Sequence, residues 1–208
     1  MPRPKTPPPK TTIAQLEPFT GLTLDRVAVV TTTAQAELAV AALREARVVG
    51  FDTESKPTFR KGEKSGGPHV LQFSTLDQAF VFISAYQATH PAINHLLGAR
   101  DLKKVGFGLS GDLRQIANRF GIRPAATIDL DQVFRKLGYR NAVGTKSAVA
   151  ILFDRRLLKS KSVTTSNWAA AALSDRQLLY AANDAFAALR IHHALQAAAP
   201  AQPAPPQP

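Results

Sequence analysis

The chain has 208 residues, enough for one domain with a sizeable buried core. It contains no cysteine, which excludes disulfide bonds and thiolate metal sites, and no apolar run reaches the roughly 18 residues that a membrane span requires. Lys and Arg number 26 against 15 Asp and Glu, so the formal net charge is +11. A small basic domain favours a polyanionic partner such as nucleic acid, although charge that only aids solubility would give the same count.

Both ends of the chain are rich in proline and poor in large apolar side chains. Such segments cannot bury enough surface to offset the loss of chain entropy. We therefore expect residues 1–23 and 198–208 to be disordered and residues 24–197 to form one folded domain. The basic N-terminus lacks the apolar core of a secretory signal, so the expected setting is cytoplasmic, with association to a nucleoid as a variant of it.

In chain order, the pattern of side chains predicts strands first and then strands that alternate with helices. Runs of β-branched and aromatic residues predict strands at 26–31, 47–54, 70–74, 79–83 and 104–108. Helix-forming sequence and capping signals predict helices at 34–46, 91–97, from 111 onward, 128–137, 146–153 and 174–197. The polar, basic stretch 56–69 predicts a loop. This order indicates an α/β fold with a mixed sheet.

Two carboxylates stand at the end of the second predicted strand. Side chains alternate along a strand, so Asp52 and Glu54 point the same way. Two like charges about 4 Å apart repel by roughly 4 kcal/mol at an effective dielectric constant of 20. Either solvent at an exposed strand end or a nearby cation must offset this repulsion.

Two further acids occupy positions that can be read in more than one way. Asp112 follows a strand and a glycine-bearing turn and lies in the first turn of a helix, where the helix dipole favours a negative charge. Asp184 lies among Ala and Leu inside the last helix, with Tyr180 four residues earlier on the same face. Each feature taken alone is compatible with an ordinary structural role.

Taken together and in this order, these features resemble the tyrosine-bearing (DEDDy) branch of the DEDD superfamily of 3′–5′ exonucleases. The resemblance spans about residues 26–195. Within this family, the sequence resembles the exonuclease domain of the Werner syndrome helicase and ribonuclease D. The segments that carry it are VVGFDTE (48–54), VGFGLSGD (105–112), KSVTTSNW (161–168) and LYAANDAFAALRI (179–191). The resemblance implies a single α/β domain with a ribonuclease H-like mixed β-sheet flanked by helices.

The resemblance also implies a metal-dependent site with two Mg²⁺ or Mn²⁺ ions. Hard cations prefer carboxylate ligands, and two such ions can serve the attacking water and the leaving oxygen of a phosphodiester together. By resemblance, Asp52 bridges both ions, Glu54 and Asp184 complete the site of the ion that activates water, and Asp112 holds the second ion through water. Tyr180 would orient the attacking water, since a phenol with a pKa near 10 is a poor base at neutral pH.

Basic residues in two segments are candidates for phosphate contacts. One set follows the metal-binding strand (Lys56, Arg60, Lys61 and Lys64), and the other lies between two predicted helices (Arg155, Arg156, Lys159 and Lys161). A solvated basic loop is the alternative for each set. Phe59 is either a base-stacking side chain or a loop anchor. We expect Trp168 to be a core or cap-packing residue, the alternative being a stacking platform, and Ser166 and Asn167 to hold the adjacent turn.

The expected function is 3′–5′ exonucleolytic hydrolysis that releases nucleoside 5′-monophosphates from a single-stranded 3′ end or the 3′ end of a duplex. DNA is favoured, with a role in DNA repair, because the extra helical domains of ribonuclease D are not present in the chain. The alternatives are a ribonuclease D-like exoribonuclease and a catalytically inactive nucleic-acid-binding module. The sequence indicates no membrane association and identifies no protein partner.

Overall fold

The computed structural model describes residues 5–58 and 66–198 of the chain. Within this part, six strands form one mixed sheet in the order β1-β4-β3-β2-β5-β6. The strands are β1 (Val27–Val30), β2 (Val48–Glu54), β3 (Val70–Ser74), β4 (Ala79–Ile83), β5 (Lys103–Gly106) and β6 (Thr127–Asp129). Strand β3 is antiparallel to both of its neighbours, while the pairs β1–β4, β2–β5 and β5–β6 are parallel. The predicted mixed α/β sheet is confirmed.

Helices cover both faces of this sheet. They are α1 (Lys10–Gln15), α2 (Thr33–Ala46), α3 (His90–Gly98), α4 (Ser110–Phe120), α5 (Leu130–Lys136), α6 (Thr145–Phe153), α7 (Lys161–Thr164) and α8 (Asp175–Ala198). Two of them begin at capping boxes, which satisfy backbone N–H groups in the first turn: Thr32 with Gln35 at α2, and Ser174 with Gln177 at α8. No helix in the described part of the chain is both long and apolar enough to cross a membrane.

The alternation of side chains along β2 divides the core into two layers. Phe51 points into a cluster with Phe73, Leu43 from α2 and Ile116 from α4. The opposite face of the sheet packs against α8, whose apolar residues join those of α5 and α6 in a second cluster. Asp52 and Glu54 alternate with Phe51, so they face the α8 side.

Gly50 allows α8 to lie directly against β2. A Cβ atom at this position would overlap the carbonyl oxygen of Ala185, so any larger residue would push the helix away from the strand. Ala185 is the residue that follows Asp184. The close approach at Gly50 therefore sets how near the carboxylate of the last helix comes to those of the strand.

The structure differs from the sequence-based expectation at the start of the predicted helix 128–137. Thr127 and Ile128 form β6 with Asp129, parallel to β5, and the helix begins only at Leu130. The Asp129 carboxylate accepts hydrogen bonds from the backbone N–H groups of Gly108 (2.8 Å) and Asp131 (3.0 Å). Asp129 thus ends the strand and caps the helix. A helix predicted from the spacing of apolar residues starts too early, at Ile128, because that spacing does not reveal the change of backbone conformation at Asp129.

The N-terminal segment also differs from the expectation of disorder for residues 1–23. In its described part, residues 10–15 form α1, and Phe19 packs on Phe153 and Phe186 with ring centroids 5.4 and 6.2 Å apart. Asn183 accepts a hydrogen bond from the N–H of Leu22 at 2.7 Å and donates one to its carbonyl at 3.2 Å. The ring of Phe19 and the two hydrogen bonds of the Asn183 amide hold this segment on the domain. The proline-rich composition of the segment does not reveal such single contacts. The tail from 199 onward lies outside the described residues.

Candidate active site

Three carboxylates meet where the end of β2 faces α8. Asp52 and Glu54 come from the strand and Asp184 from the helix, and each offers an oxygen within 4.8 Å of those of the other two. Asp184 is buried, with 3% of its surface exposed. The register of β2 and the close approach at Gly50 bring together acids that lie 130 residues apart in the chain (184 − 54 = 130).

Asp112 approaches the same strand from the other layer. It lies in the first turn of α4, and its carboxylate accepts a hydrogen bond of 2.6 Å from the hydroxyl of Thr53. Thr53 stands between Asp52 and Glu54 and points to the opposite face. Asp112 is outside the group of three carboxylates, but its negative charge is near enough to raise the pKa of both Asp52 and Glu54.

The pKa values of the acids reflect this crowding. Burial and the neighbouring Asp184 raise the pKa of Asp52 to about 8. Burial, with the charges of Asp52 and Asp184, raises the pKa of Glu54 to about 9. Burial raises the pKa of Asp112, although the hydrogen bond from Thr53 acts in the opposite direction. The site therefore disfavours several ionised carboxylates unless a cation offsets them.

Lys159 supplies one positive charge to this cluster. Its Nζ lies 2.5 Å from Oδ2 of Asp184, and the two side chains are 20% and 2% exposed. Burial alone lowers the pKa of Lys159, but the charges of Asp184 and Asp52 outweigh burial and raise it above its ordinary value. Within the described part of the chain, Oδ2 of Asp184 has no hydrogen-bond donor besides this ion-pair contact.

Tyr180 stands one helical turn before Asp184, beside both charges. Its hydroxyl lies 3.0 Å from Oγ1 of Thr164, and its ring lies 5.3 Å from Nζ of Lys159. Burial and the charge of Asp184 raise the pKa of Tyr180 to about 12. The phenol is thus neutral near pH 7, where it can donate or accept a hydrogen bond but cannot serve as an anionic base.

The donor set fits a hard divalent cation. Carboxylate oxygens, the ligands that such ions prefer, converge at the site. Oδ2 of Asp184 has no hydrogen-bond donor other than its ion-pair partner Lys159, whose ammonium group already supplies positive charge there. Asp52, Glu54 and Asp184 are the residues that would hold such an ion. Asp112 would contribute from the edge of the site, through its own carboxylate or through water.

The predicted nucleic-acid contacts that the structure describes differ in their exposure. Lys56 is exposed just after β2, Arg155 is exposed and turns back to the carbonyl of Asp154, and Lys161 is exposed at the start of α7. Arg156 is partly buried. Arg60 and Lys61, together with Phe59 and Lys64, lie outside the described residues.

The residues around the turn before α8 are placed as the sequence indicated. Trp168 is completely buried, packs on Tyr180 with ring centroids 5.8 Å apart and donates from Nε1 to the carbonyl of Thr164 at 3.3 Å. Ser166 donates to the carbonyl of Val163, and Gln177 donates to Ser166. This turn therefore positions Thr164, which in turn contacts Tyr180.

The sequence does not indicate that Lys159 and Gln72 lie beside the carboxylates. The sequence pattern places Lys159 in a basic loop as a candidate phosphate contact, and only the fold shows that its side chain enters the carboxylate cluster. Gln72 is fully buried directly across the strand pair from Asp52, and within the described residues neither of its amide atoms has a hydrogen-bond partner. A polar residue inside the apolar run VLQFS was the available signal for Gln72.

The sequence is similar to a family of 3′–5′ exonucleases and to individual members of it. A family model described as 3′–5′ exonuclease matches residues 27–199. The bifunctional 3′–5′ exonuclease/ATP-dependent helicase WRN of Mus musculus is 30% identical over 155 residues, which cover 74% of this chain and 11% of that protein. A 3′–5′ exonuclease of Arabidopsis thaliana is 31% identical over 150 residues, covering 71% of this chain and 52% of that one. The chain thus corresponds to about half, or much less, of each of these relatives.

A solved structure shows the same fold at lower identity. The structure of Trypanosoma brucei RNase D in complex with RNA U12 superposes with a TM-score of 0.71 and 22% identity, covering 81% of this chain and 62% of that one. The sheet is that of ribonuclease H-like exonuclease domains. With a family model that spans nearly all of the folded region, the chain belongs to the 3′–5′ exonuclease family, within the DEDD superfamily.

Proposed function

We propose that this protein is a metal-dependent exonuclease that removes nucleoside 5′-monophosphates from the 3′ end of nucleic acid, with DNA as the favoured substrate. The observation that carries the proposal is the convergence of Asp52, Glu54 and Asp184 beside Tyr180 at one end of β2. Family membership supports the polarity of the reaction. DNA is favoured because the matching relatives include a DNA polymerase I of Aquifex aeolicus, 41% identical over 80 residues.

The side chains divide the chemical work among them. Two Mg²⁺ or Mn²⁺ ions, when bound, would supply a nucleophile from water near neutral pH and neutralise charge on the phosphate and on the leaving oxygen. Asp52, Glu54 and Asp184 would hold these ions, with Asp112 contributing from the edge of the site. Tyr180 would orient the attacking water through its neutral hydroxyl, itself positioned by Thr164.

The strand would be held mainly by its phosphates. Lys56, Arg155, Arg156 and Lys161, together with Arg60 and Lys61, are the proposed contacts, since cationic side chains supply most sequence-independent affinity for nucleic acid. A free single-stranded 3′ end, or the 3′ end of a duplex, would fit this arrangement. We further propose a cytoplasmic or nucleoid setting and a role in DNA repair.

The second candidate is an exoribonuclease. It is favoured by the structural similarity to T. brucei RNase D, which was solved with bound RNA. The two candidates share the same site and differ in contacts to the 2′-hydroxyl group of the sugar.

Digestion of end-labelled substrates tests both candidates together. DNA and RNA strands labelled at the 3′ or the 5′ end are incubated with Mg²⁺, with Mn²⁺ or with a chelator. We expect stepwise shortening from the 3′ end with either ion, faster on DNA, and none with chelator or with Asp184→Asn. Faster RNA hydrolysis would favour the exoribonuclease, and degradation that proceeds in chelator would reject the metal-dependent mechanism.

A further inference from the structure

A basic pocket of about 450 Å³ lies between α1 and the segment that connects α6 to α7. Four cationic residues line it: Lys10, Lys146, Arg156 and Lys159. Among the described residues that line the pocket, none is Asp or Glu. Since Lys159 is paired with Asp184 in the carboxylate cluster, three positive charges remain for the pocket itself.

The walls of this pocket are fixed by backbone hydrogen bonds. The N–H of Arg156 donates to the carbonyl of Glu17 at 2.9 Å, and the N–H of Phe19 donates to the carbonyl of Arg156 at 2.9 Å. Lys146 donates from Nζ to the carbonyl of Lys159 at 3.1 Å. The N-terminal segment is thus attached at the pocket, and α1 contributes Lys10 to its wall.

The exposed ammonium group of Lys10 remains available at the pocket. Within residues 5–58 and 66–198, the side chain of Lys10 makes no hydrogen bond or ion pair. Holding several cations close together costs free energy through their repulsion, so an anion in the pocket would relieve this cost.

The pocket is contiguous with the candidate active site through Lys159. This residue lines the pocket and its Nζ reaches Asp184, so the two sites are about one lysine side chain apart. Phosphates recur about every 3.4 Å along the axis of one strand, so a strand that passes the carboxylates has another phosphate within this span. A strand with its scissile phosphate at the carboxylates would therefore bring a neighbouring phosphate to the pocket.

We propose that this pocket binds a backbone phosphate of the substrate strand next to the scissile one, with Lys10 of the N-terminal helix as a direct contact. This inference rests on the proposed function. The phosphate of the released nucleotide is the scissile phosphate itself, which lies at the carboxylates. The pocket therefore takes a phosphodiester of the remaining strand and does not take the product.

The test measures binding without catalysis. A fluorescent single strand of about 12 nucleotides, made as DNA and as RNA, is titrated with the full chain in chelator at several salt concentrations. Lys10→Ala is expected to weaken binding about two- to fivefold at low salt, as for one exposed ionic contact. The slope of log affinity against log salt should fall by about 0.7, because one phosphate contact is lost. Lys10→Arg should retain both wild-type values.

Two controls make the result specific. Lys136→Ala removes an exposed lysine at the end of α5 that does not line the pocket, and it should leave the affinity and the slope unchanged. Inhibition of wild type and of Lys10→Ala by a nucleoside 5′-monophosphate should be equal. Unchanged strand binding by Lys10→Ala, or weaker product inhibition alone, overturns the inference.

Failure of this inference can be told apart from failure of the proposed function. If the wild type shortens strands from the 3′ end while Lys10→Ala binds like wild type, only the pocket assignment is wrong. If the wild type neither binds nor cleaves DNA or RNA, the proposed function fails and the pocket assignment fails with it. Because Lys10 is exposed, its substitutions should leave the circular dichroism spectrum and thermal midpoint unchanged.

Discussion

The ammonium nitrogen of Lys159 lies 2.5 Å from a carboxylate oxygen of Asp184, inside a group of carboxylates suited to a divalent cation. Both side chains are largely removed from solvent, so their attraction is only weakly screened. The lysine therefore acts as an internal counter-ion to the acids. A divalent ion that binds to Asp184 must compete with it for the same oxygen.

Removing this counter-ion should strengthen metal binding. With Lys159→Met, which keeps most of the side-chain volume, we expect the dissociation constant for Mn²⁺ to fall about tenfold, since no cation has to be displaced. The metal-free variant should unfold at a lower temperature than wild type at pH 8, because the acids repel one another without compensation. Calorimetric titration with Mn²⁺ and thermal unfolding measure the two effects.

Lys161→Met is the matched control for this experiment. Lys161 is exposed at the start of α7, two residues further along the chain, and is outside the carboxylate cluster. Its substitution should change neither metal affinity nor metal-free stability. Equal affinities of Lys159→Met and wild type for Mn²⁺ would show that the lysine does not compete with the ion.

The raised pKa values of Asp52 and Glu54, about 8 and about 9, predict a pH-dependent stability. A carboxyl group with a folded-state pKa above its unfolded value binds more protons in the folded state, so folding loses stability as pH rises between the two values. The metal-free protein should therefore lose several degrees in its thermal midpoint between about pH 5 and pH 9. Mg²⁺ should restore more stability at pH 9 than at pH 6.

Neutral substitutions identify the groups responsible for this trend. Asp52→Asn and Glu54→Gln should each raise the thermal midpoint of the metal-free protein at pH 8 and flatten its dependence on pH. Asp101→Asn is a suitable control, because Asp101 is exposed and paired with Arg44 away from the cluster. A metal-free midpoint that rises between pH 6 and pH 9 would contradict the assignment of these groups.

The sequence was sufficient to predict five of the six strands of the central sheet and the two acids at the end of β2. Strands β3 and β4 have the predicted bounds, because unbroken apolar runs bounded by polar turns allow little choice of register. Asp52 and Glu54 share a face because alternation along a strand is a local property. The approach of Asp184 depends on the contact of Gly50 with Ala185, which no local pattern indicates.

Other features depended on contacts between distant parts of the chain. The sequence around residue 159 predicts only a basic loop. The packing of the fold shows that Lys159 points into the carboxylates. It also shows that Arg156 lines a pocket together with Lys10. The N-terminal segment is proline-rich, yet Phe19 and the bonds of Asn183 to Leu22 attach it to the domain. Average composition cannot register single anchors of this kind.

Tyr180→Phe should separate the chemical step from metal binding. The substitution removes only the hydroxyl that lies 3.0 Å from Thr164, and it keeps the ring packed on Trp168. We expect turnover to fall about tenfold to a hundredfold, since the attacking water loses its orientation. The affinity for Mn²⁺ and the thermal midpoint should stay close to those of wild type.

Thr164→Val is the graded counterpart of this variant. It keeps the phenol and removes the hydroxyl that positions it, so turnover should fall less than in Tyr180→Phe. The double variant should be no slower than Tyr180→Phe alone, because both changes act through the same hydrogen bond. Wild-type turnover in Tyr180→Phe would exclude the phenol from the mechanism.

Phe19→Ala should show whether the N-terminal segment belongs to the folded domain. The ring packs on Phe153 and Phe186, with the guanidinium of Arg190 5.7 Å from its centroid, so its removal exposes apolar surface on α6 and α8. We expect a loss of about 2 kcal/mol in the free energy of unfolding, below the range for a fully buried phenylalanine because Phe19 is only partly buried. Urea unfolding measures this loss, and Leu38→Ala on the exposed face of α2 is the control, with a change close to zero. Equal stabilities of Phe19→Ala and wild type would mean that the folded domain begins after this segment, since an unattached chain end contributes nothing to unfolding.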